Sequence, residues 1–153
     1  MKNCKLCWTV ATVLALAVAA FAYKFTTGEV RPSEDGRVAV VLTKDERNAL
    51  LLEMRTWLES SQRILAAAAK NDYAEVAKVA TASGMAAEAA TPGSLFRKIP
   101  VEMKALGFDT RRKFDAIAAD AEKSKDANRV VSDLSVAMGN CIACHATYRF
   151  VEK

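Results

Sequence analysis

Between Asp126 and Val151 the side chains Val131, Leu134, Met138, Cys141, His145 and Tyr148 recur at steps of 3, 4, 3, 4 and 3. A helix of 3.6 residues per turn gathers that series onto one side, and a seam this narrow has to be covered by neighbouring helices. The chain has material for them. Hydrophobic letters make up 52% of 153 residues, aromatics 7%, and Gly (6) and Pro (3) are scarce while Ala is abundant, a balance that suits packed helices and gives little to a sheet. That length fits one compact domain plus a short appendage, which excludes a two-domain enzyme, and the hydrophobic content excludes disorder over most of the chain.

Capping signals place the other helices. Thr43-Lys-Asp-Glu46 is a capping box, in which the Thr hydroxyl and the Glu carboxylate satisfy the first free amides of helix A, expected to run to about Lys70. Leu50, Met54, Trp57, Leu58, Ile64 and Leu65 form its apolar stripe. Asp72-Tyr-Ala-Glu75 opens an Ala-rich helix B to about Ala90, which Thr91-Pro-Gly-Ser94 breaks. Pro100 starts a short helix that Gly107 is expected to end, and helix C begins near Phe108, with Phe114, Ile117 and Ala121 inward. Helix D covers Asp126 to about Val151. With Arg37 to Leu42 the longest strand candidate, the expected fold is all-α: an antiparallel four-helix bundle over 43–153.

The N-terminus reads differently. Leu6 to Tyr23 is an uncharged, mostly apolar run of eighteen residues behind Lys2 and Lys5, with no acidic residue before Glu29. As a helix it would span roughly 27 Å, close to a hydrocarbon core of about 30 Å. Ala20-Phe21-Ala22 also reads as a cleavage site, so a removable signal peptide competes with a retained anchor; the run is longer than an ordinary signal core, which favours the anchor. Either way the lysines stay inside and the rest is exported. Residues 1–23 are thus anchor or signal peptide, and 24–42, with its Arg31-Pro-Ser-Glu-Asp-Gly-Arg37 stretch, reads as a tether. Cys4 and Cys7 are spaced as a pair but lack a following His and sit at the membrane boundary, where they read as incidental thiols, with a redox or metal pair the alternative. Lys plus Arg (22) exceeds Asp plus Glu (18) by +4, and removing Lys2 and Lys5 leaves +2 on the remainder, too little for a nucleic-acid binder.

Cys141-Ile-Ala-Cys144-His145 is a CxxCH pentapeptide, the attachment signature of c-type haem. On a helix the two sulfurs and the imidazole reach one side, so the thiols can form thioethers to the porphyrin while His145 ligates its iron. Zinc fits poorly, since tetrahedral coordination wants four ligands and the chain has one His and no further exported Cys. A disulfide between Cys141 and Cys144 would distort the helix and close almost no loop. One His also excludes bis-histidine ligation within the chain.

With CxxCH near the end of the last helix, followed by Tyr148-Arg149, and a weak Arg47-x-x-x-Leu51-x-x-Met54 pattern in helix A, the stretch from Thr43 to Lys153 resembles the cytochrome c′ family and its low-spin relatives. The resemblance implies one covalent haem c, Arg149 beside the proximal histidine, and a distal residue from helix A. A Met there gives a six-coordinate electron carrier; an apolar residue leaves a site open to small gases. Leu51 stands where the family places that residue, Met54 lies a turn further on and is the expected sixth ligand, and Met103 is the next contender. Met85 and Met138 read as core residues. The family often forms homodimers through helices A and B.

The expected function is therefore a periplasm-facing monohaem cytochrome at the cell membrane that exchanges single electrons with redox partner proteins. A gas-binding, five-coordinate protein is the alternative, and a haem-free helical adaptor belongs to a third class. An enzyme is not expected. No Gly-rich phosphate loop appears, nor a nucleophile with a second His as base.

Overall fold

The computed structural model describes residues 5–153, with 88–90 described as backbone only. Its elements are helix α1 (Lys5–Thr27), strands β1 (Val30–Pro32) and β2 (Val38–Leu42), helices α2 (Lys44–Ala68) and α3 (Tyr73–Ala82), a 3-10 segment (Met85–Ala90), helices α4 (Gly93–Lys98), α5 (Val101–Ser124) and α6 (Ala127–Thr147), and strand β3 (Tyr148–Glu152). The chain is mostly helical, with a small sheet that an all-helical reading omits.

Local chemistry accounts for the helix starts. Thr43 and Glu46 close both halves of the capping box on α2. The Asp72 carboxylate accepts from the Glu75 amide at α3, and that of Asp126 from the Asn128 and Arg129 amides at α6. The ends differ more from expectation. Helix B stops at Ala82 and gives way to the 3-10 segment. The short helix and helix C are one element, because Gly107 keeps ordinary helical backbone in the middle of α5. Helix D ends at Thr147, and its expected last turn is β3 instead.

The stretch read as a tether is a hairpin. β1 pairs antiparallel with β2, and β2 pairs in parallel with β3, Val38 opposite Tyr148 through Leu42 opposite Glu152. Gly36, at φ 80°, makes its turn.

Two cores follow. One joins α2, α3, α5 and α6 through Ile64, Val76, Val79, Phe114, Ile117, Val130 and Leu134. The second gathers Val40, Leu42, Leu50, Leu95, Ile99, Met103 and Tyr148 from the sheet, α2, α4 and α5. Between them lies a cavity bordered by Trp57 and Phe114 from the first core and by Leu50, Ile99 and Met103 from the second. Helix α1 buries none of its side chains and is long and apolar enough to cross a membrane, as an anchor or a signal sequence would be.

Candidate functional site

The cavity measures about 440 Å³, within the roughly 300–1,000 Å³ of ordinary ligand pockets. Cys141, Cys144 and His145 stand together on its α6 wall, as a spacing of three and then one on a helix requires. Both cysteines are free and half-buried. Burial pushes their thiols above the ordinary range, Cys144 further through the charge of its neighbour Cys141. They therefore stand as protonated thiols at neutral pH. Among the described residues no cluster of three or more His, Cys, Asp or Glu side chains is arranged to hold a bare metal ion.

Helix α2 supplies a second wall through Leu50, Glu53, Met54, Trp57 and Leu58. Met54, half-buried, lies on this wall; Leu51, where the family resemblance puts the distal residue, does not. Met103 lines the cavity from α5 and is buried. Met138, expected in the core, is 41% exposed and lines it from α6, while Met85 lies elsewhere.

Arg149 departs from the resemblance. Its guanidinium donates to Ser33 Oγ at 3.2 Å and pairs with Asp35 at 3.3 Å, away from the cavity. The cause is the change from helix to strand after Thr147: alternate side chains of β3 face opposite ways, Tyr148 inward and Arg149 out. Arg37 replaces it at the helix end, donating to the His145 carbonyl at 3.2 Å, the group a cation best satisfies at a helix C-terminus. Asp35 fixes Arg37 through a 2.7 Å ion pair, and the hydrogen bonds from that guanidinium, outweighing desolvation, hold the Asp35 carboxyl far below the usual range.

Three charged side chains in the wall are absent from the sequence reading. Arg111, 3% exposed, is ion-paired with Glu53 and lies over the Trp57 ring, 5.2 Å from its centroid. Lys104, 7% exposed, donates to the Phe25 carbonyl at 3.0 Å and sits 3.9 Å over the Phe25 ring and 4.8 Å over Phe96. At the rim, Asn140 of α6 donates to Asp109 and Thr110 of α5 and accepts from Lys113, which locks the two helices together beside the CxxCH turn.

No family model, curated protein or solved structure matches this chain.

Proposed function

We propose that the chain is a membrane-anchored monohaem c-type cytochrome facing the periplasm, built on an antiparallel arrangement of α2, α3, α5 and α6 similar to that of the cytochrome c′ family, and that it carries single electrons between redox partner proteins. One observation carries the reading: the two thiols and imidazole of the CxxCH turn share one apolar cavity with two methionines from other helices. The donor set suits haem. Two free thiols three residues apart would hold the group, one imidazole and one thioether could ligate its iron, and the remaining wall is largely apolar.

The chain's own residues then have definite tasks. Cys141 and Cys144 would hold the group covalently through their two sulfurs. His145 would ligate the iron, and Met54 would supply the second protein ligand. Haem, when bound, supplies the Fe(III)/Fe(II) couple. A thioether ligand favours the ferrous state and raises the potential. Leu50, Trp57, Phe108 and Phe114 give the site apolar walls, and the low dielectric they impose would disfavour the more highly charged ferric core, in the same direction. Lys2 and Lys5 hold the N-terminus in the cytoplasm, leaving the domain outside, where covalent haem attachment takes place.

The test is the full chain matured with haem-attachment machinery. The expected results are a mass gain of one haem that survives denaturation, and a reduced low-spin α band. A polypeptide weighing no more than its amino acids overturns the reading. A high-spin ferric spectrum whose reduced form shifts on adding CO replaces the carrier with the gas-binding alternative.

A further inference from the structure

From Leu134 to Tyr148 the chain runs without an Asp, Glu, Lys or Arg, the longest such stretch after α1. Most of it is α6, and α6 has an outward face. A helix facing water ordinarily turns charged and polar side chains outward, but here Ile142 is 70% exposed, Val136 58% and Val131 47%. Val131, Val136 and Gly139 stand outside the lining of the cavity, so a group that fills the cavity leaves them uncovered.

Charge and size both bear on what covers them. The outer faces of α2 and α3 carry Arg55, Glu59, Arg63 and Lys78, and a partner seated there has to answer that pattern of charge. The α6 face has none to answer. Burying it against a charged surface would leave that charge without a partner, so it fits another uncharged face, and a second copy of the chain brings one. A two-fold contact sets the same patch on both subunits and asks only that the patch suit itself. Val131 to Ala146 is about 22 Å of helix. Leu58 of α2, 68% exposed, borders the cavity together with Ile142 and carries the apolar surface onto the neighbouring helix. Two helices of about 10 Å each make the face roughly 440 Å² in projection and larger as accessible surface, which approaches the ~800 Å² per partner of a stable pair.

We propose that the outward face of α6 is the contact between two copies of this chain, which pack about a two-fold axis beside Gly139. The position suits the crossing. Gly139 has ordinary helical backbone, and a Cβ there would meet no atom of its own protein within 4 Å, so the fold of one copy does not ask for glycine. Without a side chain it lets a second helix approach closely. This contact differs from the homodimer that the cytochrome c′ resemblance implies, which uses helices A and B, and it depends on no bound group.

Light scattering on the full chain in mild detergent, with the detergent's share subtracted, reads the protein mass. The wild type is expected at twice the mass of one chain. Gly139→Glu and Gly139→Lys open into empty space within their own copy, so both should keep the wild-type circular dichroism. Each should nevertheless halve the mass, because two like charges meet at the axis, and mixing the two variants in equal amounts should restore the doubled mass through unlike charges. Thr81→Lys, on the exposed side of α3, should leave the mass of the wild type unchanged. A wild type at the mass of one chain overturns the proposal. So do Gly139 variants that stay doubled, which would put the contact elsewhere, α1 included. A mixture that stays at single mass would mean that the face meets something other than itself, and dissociation by Thr81→Lys would move the contact to α3; either result overturns it as well.

Discussion

Met54 and Met103 differ in burial, and in the proposed cytochrome that difference separates ligand from filler. Both line the cavity, but Met54 is half-buried and Met103 is packed into the second core at 7% exposure. Truncating a buried Met to Ala costs about 2–5 kcal/mol, so Met103→Ala should destabilise the domain and, if the proposed haem is bound, leave its iron low-spin. Met54→Ala removes fewer contacts; its expected effect is a change from low to high spin with little loss of melting temperature. The spectra and melts of the two variants decide it: a low-spin Met54→Ala beside a high-spin Met103→Ala moves the sixth ligand to α5. That the CxxCH side chains share one side of α6 is legible in the sequence because fixed spacing on one helix is a local property, and Met54's place in the apolar stripe of α2 is legible for the same reason. Lys104 and Arg111 are not. Taking Gly107 for a helix end assigns them to two different elements and hides that they share a side.

Element boundaries follow the same division between local and distant causes. The caps at Thr43, Asp72 and Asp126 can be read from four-residue patterns and stand where those patterns put them. β3 cannot: Tyr148-Arg-Phe-Val-Glu152 pairs in parallel with β2, more than a hundred residues earlier, and no local pattern reports a pairing across that distance. The α2 cap reaches beyond its own turn, since Glu46 also binds Lys98 of α4 at 2.7 Å, with both side chains mostly buried. Desolvation would raise the Glu46 carboxyl, but hydrogen bonds from Lys98 and Thr43 outweigh it and hold the group below its ordinary 4.5. A carboxyl lowered by folding stabilises the fold above its unfolded pKa, and that contribution fades as pH falls through the folded value. Glu46→Gln keeps an acceptor for the Thr43 amide and loses the charge. It should cost about 1 kcal/mol at pH 7, and the gap to wild type should close once the pH is well below 4.5. Urea unfolding of both proteins at pH 7 and pH 3 measures this, and a gap of equal size at both values would contradict the assignment.

On the scale of the whole molecule, the junction between α1 and the rest decides how the helical domain is held. A flexible tether would let the domain tumble at the membrane surface, but the stretch after α1 is folded against its neighbours. The Glu29 amide donates to the Lys98 carbonyl at 2.8 Å, and the Glu29 carbonyl accepts from Val41 at the same distance. Phe21, Phe25, Phe96 and Phe108 run from α1 to the cavity wall with successive ring centroids 6.2, 6.1 and 5.9 Å apart. The end of the apolar helix is thus continuous with the site, and a retained anchor would fix the orientation of the cavity relative to the bilayer. Gly28 is the hinge pin of this arrangement. Its φ of 70° suits glycine, and a Cβ there would collide with the Lys98 carbonyl and crowd Ile99 and Pro100. A non-glycine residue in such a conformation costs about 1–3 kcal/mol before the collision is counted. Gly28→Ala should therefore loosen α1 from α4 while the core of α2, α3, α5 and α6, which Gly28 does not touch, keeps its helicity. Trypsin reads this directly, because Lys24 and Arg37 flank the junction, the Arg31–Pro32 bond between them being resistant. Cleavage between α1 and β2 should be slow in the wild type and much faster in Gly28→Ala at unchanged circular dichroism. Equal cleavage rates would mean that the junction is mobile already, and that a retained anchor would leave the domain with no fixed orientation.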